Sequence, residues 1–327
     1  MTNVVRRNRR PVFIHGLQGG GTGILWNFLT SHADCLGPRW ETNQIFMYNW
    51  WRFLKAIPRP RRYGYQIPNM LALLPLAVRH RFPPHMWRIF AYDDHSLRDP
   101  ARYAHPGLAA AVDERLHELK VDHGLRPNGD RDDEKRRGVK YTRAEIEATR
   151  LVAKNIEGQC FLYPFFKGAF PDAKFVSITR DGLASCESKL RHGRARSATH
   201  AGEVYRDEIG YMVELAKQHG EDCMLVRYED LMAAPLDHIP RIYDFLGLAF
   251  SPDQEFRMAT REFIGREKTQ LAGREVQAGK DWLSQKELIA GFVQPDVNSR
   301  ARARLAAADA KEFLRVAAPI MEELGYV

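Results

Sequence analysis

One segment governs what this chain can become. Pro11 to His15 (PVFIH) runs directly into Gly16-Leu17-Gln18-Gly19-Gly20-Gly21-Thr22-Gly23, and Ile24 to Leu29 follows with helical character. The apolar run before the loop is too short for a helix and reads as a buried strand. Glycines at 16, 19, 20, 21 and 23 allow positive φ and let successive N–H groups point outward. With a helix N-terminus behind them, they form an anion site. Gly16 and Gly21 keep the spacing of a nucleoside-triphosphate loop, but Thr22 stands where such a loop carries its lysine, and Gly23 follows. That replacement argues against ATP or GTP hydrolysis.

The rest of the chain continues the alternation. Lys174 to Thr179 (KFVSIT) has strong β-propensity, ends at Arg180-Asp181-Gly182 and leads into a helix over Leu183 to Arg191. Cys223 to Tyr228 (CMLVRY) reads as a third strand, followed by Glu229-Asp230 and a helix over Ile239 to Leu246 closed by Gly247. Strands alternating with helices imply an α/β fold, a mostly parallel central sheet flanked by helices, with ligands at the carboxyl ends of the strands. The 327 residues suffice for one large domain, 1–327. Trp50 to Tyr141 is rich in Trp, Pro, Arg and His without a strand pattern, and is expected to be a helical insertion on the substrate side, at about 50–145. Within it, Asn128 to Arg137 reads as an exposed loop. Apolar spacing over Ala301 to Val327 predicts a final helix on the core.

Charge narrows the partners only in part. The balance of 49 Lys and Arg against 41 Asp and Glu, a formal +8, favours anions in general. Arg6, Arg7, Arg9 and Arg10 read as a solvated tail, and no helix-turn-helix, zinc or aromatic RNA motif points to nucleic acid. Cys35, Cys160, Cys186 and Cys223 lack the close pairing of metal or redox motifs and are expected to be buried thiols. The longest apolar run, Leu71 to Val78, is far below the ~20 residues of a membrane span and contains Pro75. With no apolar stretch after Met1, a cytoplasmic protein without a transmembrane segment is expected.

Taken together, these motifs resemble those of the sulfotransferases that use 3′-phosphoadenosine-5′-phosphosulfate (PAPS). In that superfamily a strand leads into a G-x-x-x-S-G-T-T type loop for the 5′-phosphosulfate. The similarity of Gly16 to Gly23 implies that role for Gly19, Gly20, Gly21, Thr22 and Gly23. The departures are specific: Gly19 and Gly20 stand where the family usually has Arg or Lys and then Ser, and Gly23 replaces the second Thr. The loop therefore lacks the basic residue that helps stabilise charge on the bridging oxygen. Phe170 to Ser188 (FPDAKFVSITRDGLASCES) resembles the family's 3′-phosphate motif, which implies that Arg180 and Ser188 hold that phosphate. A guanidinium at a strand end can grip a phosphate bidentately, and a helix hydroxyl adds a donor. Taken alone, the same residues suit an Arg–Asp pair at a turn and a Ser bonded to its own helix.

Arg227 to Leu231, with Pro235 and Phe245 to Leu248, resembles the family segment whose Tyr, here Tyr228, packs near the adenine. Lys154-Asn155 is similar to a Lys element ahead of the 3′-phosphate strand. Gly273-Arg274 to Trp282 is similar to the late loop that closes on the nucleotide, although Arg274 and Lys280 equally suit a charged surface. The resemblance covers residues 11–45 and 150–327. It implies in-line displacement at sulfur by an acceptor hydroxyl or amine, with no metal. Related enzymes use Glu or His as base; Glu41 in GPRWETN is the first choice, while His85, His95 and His105 remain alternatives. Glu41 equally suits a helix cap or a pair with Arg39. Charge on the leaving oxygen falls to Lys154, Thr22 or the loop N–H groups. Trp40, Trp50, Trp51, Tyr63, Tyr65 and Trp87 suit a stacked acceptor or simply the core, so glycan, lipid, peptide and phenol stay open. A P-loop kinase or NTPase, with Asp181 as its metal carboxylate, and an inactive nucleotide-binding regulator are the competing functions.

Overall fold

The computed structural model describes residues 7–38, 41–42, 106–125, 141–156, 158–258, 270–271, 274–275, 281–292 and 296–327. In chain order the elements that build the sheet and its cover are β1 (Val12–Gly16), α1 (Thr22–Thr30), β2 (Cys35–Leu36), α2 (Pro106–Leu125), α3 (Arg143–Ala148), β3 (Arg150–Ile156), α4 (Tyr163–Ala169), β4 (Lys174–Thr179), α5 (Gly182–Arg191), α6 (Ala198–Gln218), β5 (Cys223–Arg227), α7 (Tyr228–Ala233) and α8 (Pro235–Leu246). Short strands β6 (Phe256–Met258), β7 (Gln270–Leu271), β8 (Arg274–Glu275) and β9 (Asp281–Leu283) follow, and α9 (Gln285–Phe292), α10 (Ser299–Arg304) and α11 (Ala307–Glu323) complete the described elements.

The five principal strands lie in the order β2-β3-β1-β4-β5, and every pairing is parallel. Period-two alternation explains why these strands read as continuous apolar runs. Phe13, Leu151, Ala153 and Phe175 enter one core cluster, whereas Val12, Ile14, Val152, Val176 and Ile178 enter the other. Both faces are covered by helices, so most positions are apolar, and the buried polar residues His15, Asn155, Ser177 and Thr179 lie toward the carboxyl ends of β1, β3 and β4. The chain passes from β1 to one side of the sheet and then to the other. This leaves a crevice at the carboxyl end of β1, where Gly16 lies in register with Ile156 and Ile178.

Several expectations need adjustment. Lys154-Asn155 lies ahead of β4 as expected, but within a further strand, β3, whose apolar part Leu151-Val152-Ala153 is buried between β2 and β1. Tyr228 leaves the sheet and opens α7 rather than ending β5. The single final helix is two, because Leu305 takes an extended conformation (φ −72°, ψ 125°) between α10 and α11. Within the expected insertion α2 is helical, whereas Asn128 to Arg137 lies outside the described residues. All four cysteines are buried and unpaired by disulfide, and burial pushes the Cys35, Cys186 and Cys223 thiols up to about 12. At that value a thiol is not a nucleophile near neutral pH. Among the described residues no helix is long and apolar enough to cross a membrane.

Candidate functional site

The glycine loop is shaped by its contacts as well as its freedom. Gly20 N donates to Leu17 O at 2.8 Å, and Gly21 caps α1 in the left-handed region (φ 99°) with no side-chain hydrogen bond. A Cβ on Gly21 would lie 2.4 Å from Tyr228 Cδ2, so only glycine lets that ring rest on the loop. Gly19 (φ 84°) faces α5, since a Cβ there would meet Ser188 Oγ at 3.0 Å. Gly23 differs: a Cβ would enter open space, and sterics do not explain the glycine. Thr22, the first residue of α1, is buried.

Arg180 joins this loop to the end of β4. Its Nη1 donates to Gly19 O at 2.9 Å, its Nε donates to Asn298 Oδ1 at 2.7 Å, and its guanidinium lies 4.9 Å from the centre of the Tyr228 ring. Stacking and two hydrogen bonds fix the fork and leave its Nη2 edge. The backbone behind it is also held: Tyr205 Oη donates to Arg180 O at 2.9 Å, and Asp181 caps α5 by accepting from Ala184 N at 2.8 Å. The loop, Arg180, Ser188 and Tyr228, which the sequence treats separately, are thus brought to one place.

Sequence reasoning misses the support for Arg180. Asn298 also donates through Nδ2 to Glu229, and Glu229 accepts from Asp181 N and from Tyr326 Oη, both at 2.8 Å. Arg227 stacks on Tyr326 at 4.6 Å, and Arg302 pairs with Asp181. Burial, then the Glu229 carboxylate, raise the Tyr326 phenol well above its ordinary value, so it remains a donor. Asn298 caps α10, Arg302 lies within it and Tyr326 follows α11, whereas Arg227 ends β5 and Glu229 lies in the first turn of α7. Of the C-terminal ones only Arg302 falls in a stretch with a signal in the sequence, the Arg-rich Ser299 to Arg304, and that equally suits a solvated face.

A second group lies along the carboxyl half of β3. Lys154 Nζ is 3.7 Å from Glu41 Oε1 and 5.5 Å from the centre of the Trp26 ring on α1. Glu41 is held there by its neighbour: Thr42 N and Thr42 Oγ1 each lie 2.8 Å from Lys154 O as donors. Thr42 Oγ1 also contacts Asn155 Oδ1 and lies 2.7 Å from Gln159 Oε1. A hydroxyl has one proton to give, and with that proton on Lys154 O both amides turn their nitrogens toward Thr42 Oγ1 as donors. Behind them His15 is fully buried, its Nε2 3.4 Å from Asn155 Nδ2, and burial pushes its pKa down to about 3.

Of the remaining candidates, Arg274 lies in β8, paired with Leu271 of β7. His85, His95, His105, Trp40, Trp50, Trp51, Tyr63, Tyr65, Trp87 and Lys280 lie outside the described residues. Among the described residues no group of three or more His, Cys, Asp or Glu could hold a metal ion.

Known proteins similar to this chain are described as sulfotransferases. A candidate protein-tyrosine sulfotransferase from Caenorhabditis elegans is 30% identical over 176 residues, spanning 50% of this chain and 60% of that protein. The sulfotransferase domain of the Synechococcus PCC 7002 olefin synthase aligns over 98% of this chain and 97% of its own at 16% identity and a TM-score of 0.45. A sulfotransferase of Mycobacterium tuberculosis aligns over 75% and 69% at 18% identity and a TM-score of 0.39. The model of the sulfotransferase family matches residues 11–252, a span that runs from β1 and the glycine loop through Arg180, Ser188 and Tyr228. On that match the chain belongs to the sulfotransferase family.

Proposed function

We propose that this chain, folded as a single domain with an acceptor-side insertion, transfers a sulfuryl group from PAPS to an acceptor hydroxyl or amine. The observation that carries the reading is the bond from Arg180 Nη1 to Gly19 O, with Ser188 Oγ beside the same glycine. It joins two anion-binding elements in one crevice, as a nucleotide phosphorylated at both 3′ and 5′ positions requires. Tyr228, between Gly21 and the guanidinium, offers an aromatic edge to a purine.

In the reaction the acceptor oxygen or nitrogen attacks sulfur in line, the bond from sulfur to the bridging phosphate oxygen breaks, and adenosine 3′,5′-bisphosphate departs. Glu41 takes the acceptor proton. Lys154, beside it, and the loop N–H groups with Thr22 meet the negative charge that grows on the leaving oxygen. A kinase reading fares worse, because Asp181 is spent on capping α5 and pairing with Arg302.

The test is calorimetric titration with adenosine 3′,5′-bisphosphate, with magnesium–ATP and 5′-AMP as comparators, followed by labelled donor against glycan, lipid, tyrosine-peptide and phenol acceptors. Micromolar binding of the bisphosphate that is lost in Arg180→Ala is expected. Preference for magnesium–ATP would replace this reading with a kinase, and bisphosphate binding without transfer to any acceptor class would favour a regulator.

A further inference from the structure

We propose that Arg194 supplies, from the turn after α5, the positive charge that the glycine loop lacks. The inference rests on the nucleotide reading above and concerns how this chain completes that site. No Lys or Arg occurs between Gly16 and Thr30, although the site faces a nucleotide with several negative charges. Position 19 is closed to a side chain on two counts. Its φ of 84° is strained for any L-residue, and the space a Cβ would enter lies 3.0 Å from Ser188 Oγ and 4.0 Å from Arg194 Nη1. A guanidinium from another element thus stands at the spot toward which a side chain at 19 would point.

The backbone holds Arg194 in that position. Helix α5 ends with Gly193 in the left-handed region (φ 63°), Gly193 N donating to Leu190 O at 3.0 Å and Arg194 N to Lys189 O at 2.8 Å. This is a Schellman closure, which fixes the residue after the glycine relative to the last helical turn. Ser188 lies in that same stretch of helix, and His192 N donates to its carbonyl at 3.1 Å. Arg194 and Ser188 are therefore presented to the loop as one rigid unit.

Among the described residues no ion pair uses this charge. Nearby arginines are engaged: Arg191 and Arg304 both pair with Glu187, and Arg302 pairs with Asp181. Among the described residues no carboxylate pairs with Arg194, and its side chain is exposed. Arg180 already commits Nε and Nη1 to Asn298 and Gly19, so a second guanidinium adds donors that it cannot give.

The experiment is titration of the full chain with adenosine 3′,5′-bisphosphate at two salt concentrations, comparing wild type, Arg194→Ala, Arg194→Lys and Arg196→Ala. Arg194→Ala is expected to weaken binding by about tenfold or more and to flatten the salt dependence, as loss of one charge-assisted contact requires. Arg194→Lys should recover part of the affinity, and Arg196→Ala should stay within about twofold of wild type. An unchanged thermal midpoint without ligand would show that Arg194→Ala remains folded. Wild-type binding that Arg194→Ala leaves within twofold overturns the role of Arg194 alone. A wild-type protein that ignores the bisphosphate overturns the nucleotide reading and this assignment with it.

Discussion

Asn298 offers a sharp test of how the site is organised, because its two amide ends do different work. Oδ1 accepts from Arg180 Nε at 2.7 Å, while Nδ2 donates to Glu229. In Asn298→Ala the guanidinium keeps its charge, its bond to Gly19 O and its contact with Tyr228, but loses the acceptor that fixes its rotation. Re-ordering a freed arginine side chain on ligand binding costs about 1–2 kcal/mol, or about fivefold to thirtyfold in affinity. The assay is titration with adenosine 3′,5′-bisphosphate in wild type, Asn298→Ala, Arg180→Lys and the double variant. A lysine has no Nε–H fork for Asn298 to orient, so the second substitution should change affinity by less than about twofold in the Arg180→Lys background. Equal losses from Asn298→Ala in both backgrounds would refute the idea that Asn298 acts through Arg180. Urea unfolding of the same variants separates this from general loss of stability through Glu229.

Other parts of the structure lead to further expected outcomes. Glu41→Gln should retain bisphosphate binding while turnover falls by about 10²–10⁴, and Thr42→Val should lower turnover with Thr42→Ser close to wild type; nucleotide affinity that falls in step with turnover would remove Glu41 from the base role. His15, pushed down from 6.5 to about 3 by burial, stays neutral in the fold while the unfolded chain takes up a proton. Stability should therefore fall as pH drops from 6.5 toward 3, by at most about 1.4 kcal/mol per pH unit from this group, and urea midpoints of His15→Asn should show a shallower slope. Gly21→Ala combines a left-handed backbone with a Cβ 2.4 Å from the Tyr228 ring, and should lose about 2–5 kcal/mol. Gly23→Ala enters open space on a helix and should be neutral or gain up to about 1 kcal/mol; similar thermal shifts for the two would refute the packing argument.

Local sequence was enough for the elements whose signals are local. The strand before the glycine loop, β4, β5 and the helices that follow them are legible because short β-branched and aromatic runs bounded by glycine or a charged turn have few alternatives. Strand β3 was not, because its run of apolar residues is cut short by Lys154 and Asn155, which point to opposite faces and find their partners far along the chain: Lys154 lies by Glu41 and Trp26, and Asn155 is buried against Thr42 and His15. The break at Leu305 was hidden likewise, since the apolar spacing on its two sides carries on across it.

For the site the division is clearer still. The sequence determined the chemical types, a glycine loop free of lysine, an arginine at a strand end, a serine on the next helix and a tyrosine at the start of another. Tertiary structure decided which of them meet. Parallel strand order brings the ends of β1 and β4 side by side, so Arg180 reaches Gly19, and the C-terminal helices return to place Asn298 and Tyr326 behind it. Hydrogen bonds between residues 48 to 161 positions apart carry no periodicity along the chain. They exist only once the sheet has set the distances, and that is why Glu229, Asn298 and Arg194 carry no local signal in the sequence, whereas Arg180 and Ser188 belong to a local motif.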